Sequence, residues 1–371
     1  MDTASPSPEL LDDILLSLID GIGPRTYRLL LDHFGGVTEV LNATSGEPRR
    51  FEFHKTGTAE RLVAARNNID PLIVWELCRR ENIDIVSIRH ENYPERLKTI
   101  HDPPPILYVQ GTLEQRDAFS LAVVGTRRAT TYGRNQTERL TTALAHAGFT
   151  IISGLALGVD AVAHRAALDA DGRTLAVLGS GHLRLYPREN AGLARRIIDS
   201  GGAVLSELPP LHESAKWTFP QRNRIVSGMS LGVLVVEAPV RSGAMISARM
   251  AGEQGRDIFA VPGSIESEAS KGTNQLIRDG AYLVGSVDDI LNVLGPMNRR
   301  VAVPHQPDPI RHPNEVSLND IEQLVLRQIG TVSTPINTIK DLAPHQVRAA
   351  LGTLEEKRII RRTEPDSVAR M

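Results

Sequence analysis

The chain has 371 residues, more than one ordinary core takes up, so two or three domains are expected. Its 41% hydrophobic and 23% charged residues are those of a globular protein in water, and a formal net charge of −2 leaves any nucleic-acid binding to a local basic patch. The single cysteine, Cys78, excludes an internal disulfide framework, and the acidic start Met1–Asp13 lacks the basic head and apolar middle of a signal peptide. With no run near the ~18 apolar residues that span a bilayer, a cytoplasmic protein with no membrane partner is expected.

From Leu10 to Phe34 the spacing predicts two short amphipathic helices around Gly21-Ile22-Gly23-Pro24. That layout is either a helix-hairpin-helix, whose glycine turn offers N–H groups to a DNA phosphate, or a plain tight turn in a helical domain. More helix follows from Ala59 to Glu81, then a strand over Ile83–Ile88. Prolines at 94 and 103–105 punctuate the next stretch, placing a domain boundary near residue 100. The first domain is therefore 1–100 and the second 105–295, the latter entered by an edge strand at Ile106–Val109.

The second domain alternates strands with helices. Its strands are predicted at Leu121–Val124, Thr150–Ile152, Thr174–Leu178, Ala203–Ser206, Leu231–Glu237, Ile258–Val261 and Tyr282–Val284. Most are unbroken apolar or β-branched runs, as strands buried on both faces require. Helical spacing over Tyr132–Ala147, Leu193–Ser200 and Ile246–Gln254 completes an α/β pattern with a doubly wound, mostly parallel sheet. Residues 296–314 are rich in proline and polar groups and read as a linker. In the last domain, 315–371, three helical stretches (Ile321–Ile329, Thr334–Leu342, Pro344–Lys357) lead to a basic strand, Arg358–Arg362. This is the outline of a winged helix-turn-helix, either a DNA reader or, with its nearly balanced charge, a protein-docking module.

In open parallel sheets ligands lie beyond the carboxyl ends of the strands. Here those ends carry Gly125-Thr126-Arg127-Arg128, Ser153-Gly154, Gly179-Ser180-Gly181, Arg241-Ser242-Gly243 and, further on, Lys271-Gly272-Thr273. Glycines admit a ligand to the backbone, and hydroxyls join N–H groups in an anion cradle. A second cluster, Lys216 to Arg224, packs Lys216, Arg222, Arg224, Trp217 and Phe219 into nine residues of a chain only 4% aromatic. Cations neutralise phosphates, and an exposed ring gives an unpaired base a face to lie on. Phe219 with Arg222 and Arg224 reads as a binding element, Trp217 alone as a core residue.

Enzyme signatures are missing. There is no Gly-x-x-x-x-Gly-Lys-Ser/Thr loop, no Gly-x-Ser-x-Gly elbow, no dinucleotide fingerprint after the first strand, and no His/Cys/Asp cluster with metal spacing. His164, four residues after Asp160, is expected to pack and hydrogen-bond locally. A binding protein without cofactor or metal is expected.

These residues resemble the DprA/Smf family of bacterial DNA-processing proteins. The matching motifs are Val123–Arg127, Ser153–Asp160 with Ala161 and His164, and Tyr186-Pro187 with Asn190. They continue through Phe219 with Arg222–Gly228, Val236-Glu237-Ala238, Ser242-Gly243, Glu253–Arg256, Val261–Ser264 and Gly272 with Asn274 and Gln275. The resemblance implies a Rossmann-like central domain flanked by an N-terminal helical domain (SAM-like or helix-hairpin-helix) and a C-terminal winged-helix domain. It also implies a non-enzymatic protein that binds and shields single-stranded DNA during natural transformation, loads the recombinase RecA onto it, and dimerises through the Rossmann-like domain. Arg127, Lys216 and Phe219 stand at the family's strand-gripping positions, with Gly125, Ser153, Gly154, Asn223 and Arg224 completing the pocket. Thr126 belongs to the same turn, and Arg128, Arg222, Arg241 and Lys271 join on physical grounds. The run Pro262-Gly263-Ser264 … Gly272-Thr273 is also similar to the lysine-decarboxylase-like nucleotide phosphoribohydrolases. Asn274 and Gln275 follow that threonine where an acid would be needed.

Overall fold

A computed structural model describes residues 5–43, 58–295, 320–329, 334–336, 339, 342–356, 360–364 and 367–370. The chain divides into two units, Met1–Val301 and Ala302–Met371. The linker expected at 296–314 lies outside the described residues. Among the described residues no helix is long and apolar enough to cross a membrane.

The larger unit is built on a nine-stranded sheet: β1 (Asp84–Ser87), β2 (Ile106–Gly111), β3 (Ser120–Val124), β4 (Thr150–Ser153), β5 (Thr174–Val177), β6 (Ala203–Ser206), β7 (Gly232–Val235), β8 (Asp257–Ala260) and β9 (Tyr282–Leu283). The spatial order is β1-β2-β6-β5-β4-β3-β7-β8-β9, parallel from β6 to β9 and antiparallel at β1 and β2. Strand periodicity divides each central strand between two cores. Ala122 and Val124 of β3, with Val233 and Val235 of β7, face Ile225, Met229 and Ala248 from the helices Thr218–Met229 and Gly243–Glu253. Leu121, Val123 and Leu234 face Leu140, Leu144, Ala163 and Ile290 from helices on the opposite side. Both faces of the sheet are covered, which is why its strands read as unbroken apolar runs.

Sequence and structure part company at the proline stretch near residue 100. Strand β1 pairs with β2 from Asp84↔Val109 to Ser87↔Ile106, and Tyr93 donates its hydroxyl to the Pro104 carbonyl at 2.8 Å. The prolines therefore turn the chain between neighbouring strands of one sheet and do not link two bodies. N-terminal to them, helices Pro8–Ser17 and Pro24–Phe34 form as the spacing predicts, with Gly21 in the left-handed region at φ +86° and Pro24 opening the second helix. Ile14, Cys78 and Ile83 pack on Ile106 and Tyr108 of β2, so the helical layer is fastened to the sheet edge.

The smaller unit contains helices Asp320–Arg327 and Pro344–Glu356 and an antiparallel sheet of β10 (Thr334–Pro335), β11 (Ile360–Glu364) and β12 (Ser367–Arg370), in the order β10-β12-β11. Val325, Leu326, Val347, Leu351, Leu354 and Val368 make its core. The helix predicted from Thr334 is displaced by a strand: Thr334 and Pro335 pair with Val368 and Ser367, and a proline without N–H suits an edge strand. Most of the remainder of that predicted helix lies outside the described residues.

Two imidazoles of the larger unit are buried and neutral. His164 hydrogen-bonds Thr174 Oγ1 at 2.7 Å rather than Asp160. Burial, helped by the charges of Arg222 and Arg165, lowers its pKa from 6.5 to about 3, and burial lowers that of His182 to about 4. Unfolding frees both to bind a proton near pH 6.5, so their contribution to stability is complete above that value and is lost as pH falls towards 4 and 3. Stability of the larger unit should decline on acidification by on the order of 1 kcal/mol per pH unit for each histidine. Urea unfolding at stepped pH checks this: His164→Gln should flatten the slope, and an unchanged slope would contradict the assignment.

Candidate nucleic-acid interface

After β3 the chain steps outward through β4, β5 and β6, then returns to the other side of β3 as β7. The reversal opens a crevice at the carboxyl ends of β3 and β7, where dinucleotide-binding folds place a pyrophosphate on a helix N-terminus. Here a side chain already occupies that place. Buried Glu237 accepts the Thr130 N–H at 2.9 Å and the Thr130 hydroxyl at 2.6 Å, at the cap of the helix Thr131–His146. The Glu237 carbonyl also accepts the Thr126 N–H at 2.7 Å. A fixed carboxylate thus meets the helix dipole in place of a phosphate.

The next loop is closed in the same way. Asp160, buried, accepts the N–H groups of Gly154 and Ala156 at 3.1 and 3.3 Å. Ser153 is fully buried and donates its hydroxyl to the Val123 carbonyl at 2.6 Å. The backbone cradles expected from Gly125, Thr126, Ser153 and Gly154 therefore hold the protein's own groups, and what remains for a ligand is side chains. Asn274 is similarly engaged, donating to the Gly263 carbonyl at 2.9 Å and accepting its N–H at 3.2 Å.

The helix Thr218–Met229 brings those side chains to the edge. Its Arg222 turns inward, and its guanidinium donates to the carbonyls of Gly154 and Val177 at the ends of β4 and β5. A Cβ on residue 154 would fall within the guanidinium, so the position requires glycine. Burial pushes the Arg222 pKa down to about 10 against the pull of Asp160, and burial pushes Asp160 up against the pull of Arg222. Arg224 is equally committed: Glu207 pairs with it, and Asp102 lies 3.6 Å away. Both therefore brace the helix, which corrects the expectation that Arg224 faces a ligand, while Arg222 still borders the hollow beside Phe219. Asn223 sits between them, its amide 3.3 Å from the Gly243 carbonyl.

One turn before Arg222, Phe219 lies against Gly179, where a Cβ would come within 2.8 Å of the ring. On its outer side, the Arg127 guanidinium carbon lies 5.0 Å from the ring centroid, and the Tyr186 ring follows at 5.7 Å. Arg127, Gly154, Leu157, Tyr186, Phe219 and Arg222 line a shallow hollow. Arg127 and Lys216 are exposed, and among the described residues neither meets a carboxylate. Arg128 and Arg241 are also exposed but do not line the hollow, and Lys271 is paired with Glu268. Trp217, read from the sequence as core, is 54% exposed with His212 against its edge at 5.9 Å. Local sequence hides this because Trp217 precedes the helix, whose first residue, Thr218, takes the buried place by donating to the Gly179 carbonyl at 2.6 Å.

A Rossmann-like α/β protein with its nucleotide crevice closed from within, and a cation-on-aromatic shelf beside it, is the class that fold and site define. The profile described as "DNA recombination-mediator protein A" matches residues 84–295, and the chain belongs to this DprA/Smf family. It is 38% identical to Protein Smf of Synechocystis over 286 residues, covering 75% of this chain and 71% of that protein. It is 41% identical to the DNA processing protein DprA of Bacillus subtilis over 258 residues, covering 67% and 86%. Among solved structures, DprA from Streptococcus pneumoniae superposes with a TM-score of 0.67 at 32% identity, covering 78% of this chain and 98% of that one. DprA from Helicobacter pylori, described for a unique single-stranded DNA binding mode, gives 0.51 at 32% identity over 57% of this chain and 95% of that one.

If Arg222 is a brace, Arg222→Met should cost about 3–5 kcal/mol in urea unfolding, because it strands the buried Asp160 and two carbonyls. A surface arginine would lose less than about 1 kcal/mol, and that result would return Arg222 to the ligand side.

Proposed function

We propose that the carboxyl edge of the sheet is a single-strand DNA-binding surface and that the protein acts by binding, without catalysing a reaction. The observation that carries this is the Arg127 guanidinium seated 5.0 Å from the Phe219 ring on an open edge. A phosphate can meet the cation while the adjoining base lies on an aromatic face, and duplex DNA, with its bases stacked inward, can use only the first contact. Exposed Lys216 supplies a second cation, and Arg128 and Arg241 extend the field. The Helicobacter relative, similar over 57% of this chain, supports the choice of ligand.

On this reading the protein shields incoming single strands during transformation and passes them to RecA, working as a dimer through its sheet domain. The N-terminal helices, with their Gly21–Gly23 turn, are proposed as a SAM-like or helix-hairpin-helix accessory, and the terminal unit as a winged helix that docks protein. The phosphoribohydrolase alternative draws no support from the edge, where Asn274 is engaged with Gly263.

Filter binding of single and duplex oligonucleotides across salt concentrations tests the reading. Arg127→Ala and Lys216→Ala should each lower the salt slope by about 0.7, one phosphate's share for a single strand. Phe219→Ala should cost about 1–3 kcal/mol at every salt concentration, since stacking is not ionic. Equal affinity for single strand and duplex would overturn the proposal.

A further inference from the structure

Beside the Phe219 shelf lies a second, roomier hollow, about 440 Å³ against about 30 Å³ for the first. The two share one residue, Tyr186, whose ring is 47% exposed and 5.7 Å from that of Phe219. Arg184 and Arg188 line the second hollow together with Glu213 and Ser214. Both arginines are exposed, and among the described residues neither pairs with a carboxylate, Glu213 included. On the same lining, His182 is 9% exposed. Its Nε2 lies 3.0 Å from the Val204 carbonyl, which can only accept, so Nε2 carries the proton and Nδ1 is a bare acceptor. That Nδ1 is buried and has no hydrogen-bond partner. A buried acceptor without a donor is unusual enough to call for one from outside the chain.

We propose that this hollow is a second nucleotide subsite for the same single strand, with Tyr186 as its stacking platform. Arg184 and Arg188 meet the phosphate, and His182 Nδ1 accepts an N–H from the base edge. The residue types repeat those of the first shelf, a cation beside an aromatic ring, and Tyr186 makes the two continuous. The Glu213 carboxylate keeps the phosphate to the arginine side and leaves its own side to base donors. Two adjoining platforms of this kind hold successive nucleotides without reading their sequence.

This inference rests on the shelf being the DNA site, and the test separates the two. Fluorescence anisotropy is measured with oligothymidylates from about 4 to about 16 nucleotides, the span of site sizes common for single-strand folds. For Arg184→Ala/Arg188→Ala the affinity loss should grow with length, reaching about ten-fold for the longest, and the salt slope should fall by about 0.7. Tyr186→Leu should weaken the long oligonucleotides about ten-fold with the slope unchanged. Arg127→Ala is run in parallel. If it weakens binding while the double variant matches wild type at every length, the second subsite is refuted and the shelf stands. Equal loss at every length would place Arg184 and Arg188 in the first site's field and also refute the second subsite. If Arg127→Ala has no effect, both readings fall together.

Discussion

The geometry of the edge depends on one buried cation. Arg222 holds the carboxyl ends of β4 and β5 through the carbonyls of Gly154 and Val177, with the Asp160 carboxylate close enough to oppose its desolvation. An uncompensated guanidinium in the interior would be severely destabilising, and with these partners it becomes a fixed point. Phe219 lies three residues earlier on the same helix, so fixing Arg222 fixes the height and tilt of the ring under Arg127. Arg224, two residues on and tied to Glu207 and Asp102, fastens the other side of the same turn. A helix braced on two sides presents its outer face as a rigid platform.

A second consequence concerns what the fold has given up. A doubly wound sheet places a helix N-terminus and a set of free N–H groups at its switch point, and nucleotide-using proteins exploit both. Here Glu237 and Asp160 occupy the two cradles nearest the centre of the sheet. Backbone donors hold a compact phosphate group in one geometry. Guanidinium and ammonium groups on exposed side chains hold a polyanion in many. The exchange leaves exposed side chains at an edge in place of free N–H groups in a crevice, an arrangement that would suit a long, flexible polyanion contacted one phosphate at a time.

Much of this was legible in the sequence, because burial on two faces leaves a strong local signal. The seven strands of the parallel sheet fall within a residue or two of where their apolar runs place them, and the glycine-ended strands point to the edge where Arg127, Phe219 and Tyr186 meet. What local pattern could not show is which charged groups on that edge face outward. Arg222 and Arg224 look like Arg127 in sequence, and only partners far along the chain (Asp160 and Val177 for one, Glu207 and Asp102 for the other) turn them inward. Ser153 and Trp217 were misread for related reasons: a hydroxyl at a strand end looks free until its neighbour strand is placed, and a tryptophan looks buried until the helix beside it has filled the core. The Pro103–Pro105 stretch resembles a linker because proline stiffens a tight turn between strands and a connection between domains alike.

The most direct test of the account is a crystal structure of the full chain with a bound oligothymidylate. The account expects a phosphate at the Arg127 guanidinium and a base resting on the Phe219 ring, with Arg222 still bonded to the carbonyls of Gly154 and Val177. An oligonucleotide held elsewhere with this edge empty, or Arg222 swung out to meet a phosphate, would contradict it.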